Sequence, residues 1–256
     1  MNSIIKETGY YLLNLFTGGK GIKRTINQFV VKFPARWSRY YESNYEAANY
    51  NFLRKSVKPG MHIIDIGAHI GLFSTVSSQL TGKTGKVVAF EPTPATYDIL
   101  LQTLQLNQCS NVIPVLGAVG AEDGWAVFYV SETEGCNSNS LVRNDIQKEA
   151  KENRVELFTI DTVVSKYSLQ PGFIKIDAEG AELDVLKGGL KTFKEYKPIL
   201  ILGLHPDFIK NKGDELSTIW DVLQQSGYMV MENEKKLTKA DFCSHELLFD
   251  VQCTIS

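Results

Sequence analysis

A parallel α/β fold is predicted for this chain by two apolar runs that each end in an acid and by the glycine-bracketed turn between them. The first run, Ile63-Ile64-Asp65-Ile66, leads into Gly67-Ala68-His69-Ile70-Gly71. A continuous β-branched run suits a strand that helices cover on both faces. The second run, Val87 to Phe90, ends in Glu91 and Pro92. Strand, turn, helix and strand in this order form the first half of a nucleotide-binding crossover.

Each part has a chemical reason. Asp65, near a strand's carboxyl end, is costly unless it meets a donor or a positive ligand group. Gly67 and Gly71 permit a tight turn, and the helix they open points free N–H groups at a negative group. Glu91 follows Gly71 by 20 residues, where a carboxylate can take both hydroxyls of a ribose. A dinucleotide fingerprint would read G-x-G-x-x-G, whereas Ala68 and His69 interrupt the glycines here. A ligand with a carboxylate, an amine and an adenosine would satisfy the turn, Asp65 and Glu91 respectively. S-adenosylmethionine is such a ligand. The competing reading is an ordinary crossover with incidental acids.

Composition narrows the classes. With 256 residues and 43% hydrophobic content, the chain can build one large α/β core. Its 27 basic and 29 acidic residues give a net charge of -2, so no electrostatic footprint for nucleic acid is present. Cys109, Cys136, Cys243 and Cys253 lack zinc-binding spacing, so reduced thiols and no metal are expected. No run approaches the length of a membrane span, and Met1 to Gly19 lacks the pattern of a signal peptide. A cytoplasmic protein is expected.

Taken in order, residues 1–19 read as a helix ending at Thr17-Gly18-Gly19. It can pack on its own domain, on a partner subunit, or peripherally on a membrane without inserting. The aromatic stretch 25–58 reads as a covering helix, because Tyr45, Ala48 and Phe52 share a helical face; Tyr40 and Tyr41 are candidate rim residues. Residues 1–55 are therefore expected to be an N-terminal helical extension, and 56–256 the main domain. A helix over Tyr97–Leu106 and a strand over Asn111–Gly117 come next, then small residues from Ala118 that leave room for an adenine ring. Asp123-Gly124 turns into an exposed edge strand, Trp125 to Val130.

The stretch 131–150 has no periodicity and reads as a binding loop or as disorder. Its Asn137, Ser138, Asn139 and Ser140 suit a hydroxyl-rich acceptor or a cofactor carboxylate. After a strand over Val155–Ile160 and a short helix, Phe173-Ile-Lys-Ile-Asp177 forms a strand, and a helix follows to Gly188-Gly189. Period-two geometry sets Lys175 and Asp177 on one face, with Asp177 at the carboxyl mouth where ligands collect. The plainer roles are a helix N-cap for Asp177 and a dipole partner for Glu179. His205 ends the strand from Pro198; it can carry a proton near neutral pH or simply bond a backbone carbonyl. A helix over Glu215–Ser226 and strands Tyr228–Glu232 and His245–Cys253 complete the reading.

Over roughly residues 50 to 206 the chain resembles the FkbM-type family of S-adenosylmethionine-dependent methyltransferases. The segments that carry the resemblance are Asp65 to Gly71, Ala89-Phe-Glu-Pro92, Leu106-Asn107, Asn137 to Leu141 and, most distinctively, Phe173 to Glu182. It implies a Rossmann-like class I methyltransferase: a seven-stranded, mostly parallel sheet with an antiparallel last strand. It also implies a cofactor site at Asp65, Gly67, Ala68, His69, Gly71, Glu91, Pro92 and Ala118. Two departures stand out. The family usually has asparagine at His69 and an acid at Gly203, and the loss of that acid weakens the case for magnesium.

The expected activity is O-methylation of a sugar, glycan or natural-product hydroxyl, an in-line displacement in which the hydroxyl also loses a proton. Asp177 is the candidate base or anchor, supported by Lys175, Glu179 and His205. The competing classes are a nucleotide-dependent oxidoreductase, which the interrupted glycines disfavour, and a non-catalytic cofactor-binding protein. The expected partner is a small-molecule or glycan acceptor; self-association stays open.

Overall fold

In the computed structural model, the described residues are 9, 10, 13, 18–130 and 151–255. Most of the helix read over 1–19 lies outside them, as does the whole loop 131–150 with Asn137, Ser138, Asn139 and Ser140. No helix among the described residues is long and apolar enough to cross a membrane.

Over residues 25–58 the chain differs from the expected covering helix. An antiparallel hairpin, β1 (Ile22–Ile26) and β2 (Phe29–Phe33), and one turn of 3-10 helix at Ala35–Trp37 precede α1 (Ala47–Ser56). Asn27 and Gln28 join the strands, both at positive φ (47° and 71°), the handedness a two-residue hairpin turn needs.

The crossover follows as read: β3 (His62–Ile66), α2 (Leu72–Thr81), β4 (Lys86–Glu91), α3 (Pro94–Leu106) and β5 (Val112–Leu116). A separate three-stranded sheet comprises β6 (Ala118–Val119), β7 (Gly124–Val130) and β8 (Lys151–Phe158), with β8 in the middle and β7 an antiparallel edge. Next come α4 (Ile160–Lys166), β9 (Pro171–Asp177), α5 (Glu182–Lys187), α6 (Leu190–Tyr196) and β10 (Ile199–Leu204). The chain continues through α7 (Pro206–Asn211), α8 (Leu216–Gln225), β11 (Tyr228–Glu232), β12 (Lys235–Lys236), α9 (Lys239–Cys243) and β13 (Phe249–Ile255).

The main sheet runs β12-β11-β13-β10-β9-β3-β4-β5. From β10 to β5 every pairing is parallel, and β13 inserts antiparallel between β10 and β11. This is the expected seven-stranded arrangement, with β12 added as a two-residue edge.

Successive strand residues go to opposite faces, and the two faces hold separate apolar clusters. Ile63, Val87, Phe173 and Ile201 pack with Val31, Phe33, Tyr50 and Leu53 of the extension. Ile64, Val88, Ile174 and Leu200 pack on the other face with Leu186, Phe193, Ile219 and Leu223. The hairpin and α1 thus join α2 and α3 in the layer on one face of the sheet, and each large side chain buried there contributes about 1.5–3 kcal/mol.

Two polar clasps secure that cover. Asn107, the C-cap of α3, accepts from Lys32 N at 2.9 Å and donates to Lys32 O at 2.7 Å. Gln252 on β13 donates to Asn49 Oδ1 on α1 at 2.8 Å in a buried bond.

Candidate active site

The site sits at the carboxyl ends of β3, β4, β9 and β10. Gly67 leaves β3 at φ 76°, and Gly71 caps α2 at φ 89°. A Cβ at Gly67 would lie 2.1 Å from the carbonyl oxygen of Asp177, so the turn can press on the end of β9 only as glycine. The turn N–H groups are largely used inside the protein. Gly67 and Ala68 both donate to Phe90 O, at 3.1 and 2.8 Å, and Gly71 donates to Ala68 O at 2.9 Å. The N–H of His69 donates to Glu91 Oε2 at 3.0 Å.

Glu91 is buried, and its Oε1 accepts from Thr93 N at 2.9 Å. Burial pushes its carboxyl up to about 7, against the pull of the Thr93 and His69 N–H groups. Gly117, whose N–H donates to Glu91 O at 3.2 Å, and buried Ala118 lie beside this strand end. The His69 ring is held by the extension: its Nδ1 is 2.9 Å from the Tyr41 hydroxyl, and its centroid is 5.0 Å from that of Tyr40. Burial, helped by Lys175, brings His69 down to about 4, so the ring is neutral at pH 7.

Asp65 has no exposed surface. Ser74 donates to its Oδ2 at 2.5 Å; Oδ1 accepts no hydrogen bond from any described residue and lies 4.0 Å from Lys175 Nζ. Burial raises the Asp65 pKa despite Lys175 and Ser74. Lys175 Nζ donates to Gly67 O and to Asp177 Oδ2, both at 3.1 Å. Burial disfavours its charge, but Asp177 and Asp65 outweigh that and hold the ammonium firmly protonated.

Asp177 is the open member of the group, its side chain 36% exposed. Burial works against its charge, yet Lys175 and then His205 bring its pKa below the ordinary carboxylate value. Its Oδ1 is 3.8 Å from His205 Nε2, and His205 Nδ1 is 2.9 Å from Glu182 Oε1. Burial opposes the imidazolium, but Glu182, Asp177 and Asp250 together raise the His205 pKa. Glu179, at φ 45°, has its pKa raised well up by burial and by Asp177, Glu91 and Glu182.

The plainer roles for three of these residues do not hold. Asp177 is not an N-cap: α5 starts at Glu182 with Ala181 at the cap, and its first-turn acids are Glu182 and Asp184 rather than Glu179. His205 bonds a carboxylate, not a backbone carbonyl.

Gly203 pairs in register with Asp177 on one side and Asp250 on the other. A Cβ there would lie 3.2 Å from Asp250 Oδ1 and 3.4 Å from Asp177 Oδ1. Burial, with Glu46 and Asp177 nearby, pushes Asp250 up to about 6. Among the described residues no group of three or more His, Cys, Asp or Glu side chains is arranged to hold a metal ion.

Sequence reading found Lys175, Asp177, Glu179 and His205, and the structure brings them together. It passed over Glu182, Asp250 and Glu46, while Tyr40 and Tyr41, read as candidate rim residues, meet the His69 ring. Glu182 sits at the end of the most distinctive segment, but its helical position gave it no separate role.

Residues 65–230 match the profile described as a methyltransferase FkbM domain. The methyltransferase sdnD of Sordaria araneosa is 30% identical over 154 residues, covering 49% of this chain and 59% of that protein. The hexuronic acid methyltransferase AglP of Haloferax volcanii is 30% identical over 140 residues, covering 54% of this chain and 53% of that protein. The chain thus spans little more than half the length of these relatives. Among solved structures, a candidate rRNA methylase of Clostridium thermocellum superposes with a TM-score of 0.51 at 12% identity, covering 84% of this chain and 98% of that one. That likeness is one of fold.

Proposed function

Since the chain belongs to the FkbM methyltransferase family, whose methyl donor is S-adenosylmethionine, we propose that it methylates a hydroxyl of a sugar, glycan or natural product. The observation that carries this reading is the contact between the Gly67 turn and the end of β9, which sets a donor site and Asp177 against one wall.

Two features support the fit of the donor. Asp65 Oδ1 is a buried carboxylate oxygen without a hydrogen bond, chemistry that suits an ammonium group. Glu91 has both oxygens aligned by backbone N–H groups and keeps acceptor capacity for ribose hydroxyls. When bound, the donor supplies an electrophilic methyl group on a positively charged sulfur.

The chain's own residues do the rest. Lys175 keeps Asp177 ionised, and Asp177 Oδ1 orients the acceptor hydroxyl or takes its proton as the oxygen gains the methyl group. Glu179 and His205 flank that position, and Ala118 and Pro92 border the adenosine end. Residues 56–256 act as the transferase domain, with 1–55 as its cover. The hexuronic acid specificity of the Haloferax relative supports a sugar acceptor.

Calorimetry with S-adenosylmethionine, S-adenosylhomocysteine and NAD tests the donor. Binding of NAD alone would sink the transferase reading. Radiolabelled methyl transfer to a panel of glycosides, including methyl glucuronoside, then tests the acceptor class.

A further inference from the structure

We propose that Glu182 is a positioning residue: it fixes His205 in the tautomer whose Nε2 faces Asp177 Oδ1, so that an acceptor hydroxyl bonded to Nε2 gives its proton to His205 beside the Asp177 carboxylate. This rests on the transferase reading and adds a residue, Glu182, and a division of labour to it.

Glu182 has no exposed surface, so its carboxylate must be compensated inside the protein. Both its oxygens accept from Gly180 N, at 3.0 and 3.1 Å, and Oε1 lies 2.9 Å from His205 Nδ1. An ionised carboxylate can only accept, so the proton of that bond belongs to Nδ1. In neutral His205 the lone pair is then on Nε2. That atom is 3.8 Å from Asp177 Oδ1, too far for a direct hydrogen bond. Nε2 thus has no bond from Asp177, and its lone pair is left to take the single proton of an acceptor hydroxyl.

The groups facing His205 are Glu182 on α5, Asp177 at the end of β9, Asp250 on β13 and the Phe208 ring of α7, edge-on at 5.9 Å. All three carboxylates favour the imidazolium. The neutral form therefore appears at higher pH than for a free imidazole and is the stronger base when it does. In the step itself, the hydroxyl proton moves to Nε2 and an oxygen electron pair forms the O–CH3 bond. The electrons of the broken C–S bond remain on sulfur, which leaves a neutral thioether and an imidazolium. Asp177 stays ionised throughout and stabilises the imidazolium that forms, its Oδ1 lying 3.8 Å from Nε2. The order resembles a nucleophile, base and orienting acid, with the acceptor in the nucleophile's place.

Long-range 15N–1H spectra of the full chain, which has 4 histidines, test this without a substrate. His205→Gln assigns the signal, and the titration runs from about pH 5 upward. The expected result is a neutral His205 protonated on Nδ1, titrating above 6.5, with a fall of about one unit or more in Glu182→Gln. A neutral His205 protonated on Nε2, or an unchanged titration in Glu182→Gln, overturns the proposal. If Glu182→Gln fails to fold, the wild-type tautomer alone decides.

A kinetic arm uses labelled S-adenosylmethionine with methyl glucuronoside as the hydroxyl probe. The acid limb of kcat/KM should follow His205 and move to lower pH in Glu182→Gln; a limb that stays in place overturns the proposal. Failure of the wild type to methylate any hydroxyl probe counts against the transferase reading instead, and the spectra still decide on Glu182.

Discussion

Gly67 and Asp177 touch through their backbones, so the glycine turn and the strand end that carries Asp177 cannot move independently. Gly67→Ala should destabilise the protein by about 2–4 kcal/mol, from the positive φ and from the backbone contact. Denaturant unfolding measures this. A variant as stable as the wild type would mean that the turn can lift off β9 at no cost.

Glu91→Ala should weaken S-adenosylmethionine binding by about 1.5–3 kcal/mol, the size of charge-assisted bonds to ribose hydroxyls. Wild-type affinity should also decline as the pH falls below about 7, because burial holds the free carboxyl there and the ligand prefers the ionised form. Calorimetry at several pH values reads both effects. An affinity independent of residue 91 would remove it from the site.

Asp177→Asn should lower turnover about a hundredfold or more while the donor's dissociation constant changes little, since the carboxylate matters mainly in the transition state. Helix α5, capped by Ala181, should survive, but the melting temperature should fall because buried Lys175 loses its ion-pair partner. Near-normal turnover would end the assignment. Wild-type turnover should survive a chelator, given Gly203 between Asp177 and Asp250; its abolition would restore a metal reading.

The ligand-free protein should lose stability as pH rises from about 4.5 to 7. Burial raises Glu91 from 4.5 to about 7 and Asp250 from 3.8 to about 6, so the folded state binds more protons than the unfolded one in that window. Raised His205 acts in the same direction, stabilising below 6.5 and losing that contribution as pH passes its folded value. Lowered Asp177 acts the other way only in stronger acid, whereas His69, brought from 6.5 to about 4 by burial, opposes the trend within the window and offsets part of it. Glu91 alone accounts for roughly 3 kcal/mol. Urea unfolding across the window should show the slope, and Glu91→Gln should flatten it; a stability that rises with pH there would contradict the burial argument.

The crossover was legible because its strands are buried on both faces and its turn needs glycine, constraints that act over a few adjacent residues. Lys175 and Asp177 could be paired for the same reason, being two apart on one strand. The hairpin was hidden because its turn uses Asn27 and Gln28, without the glycine that usually marks positive φ, and because the aromatic residues after it suit a helix. Glu182 was hidden differently. Its role depends on His205, 23 residues away on another strand end, and no local pattern records such a meeting.

The buried bond between Asn49 and Gln252 joins residues separated by 203 positions. At ordinary rates of synthesis, Asn49 emerges roughly 10 to 40 seconds before its partner is made. Until then β13 is missing, and β11 cannot join the sheet, because β13 is what connects it to β10. A ribosome-bound chain therefore holds an otherwise parallel sheet with β10 as a bare edge, open to pairing with a neighbouring nascent chain. Chaperone cover should matter most in that interval, and slowing translation over α8 and β11 should cost yield even though it changes no residue of the protein.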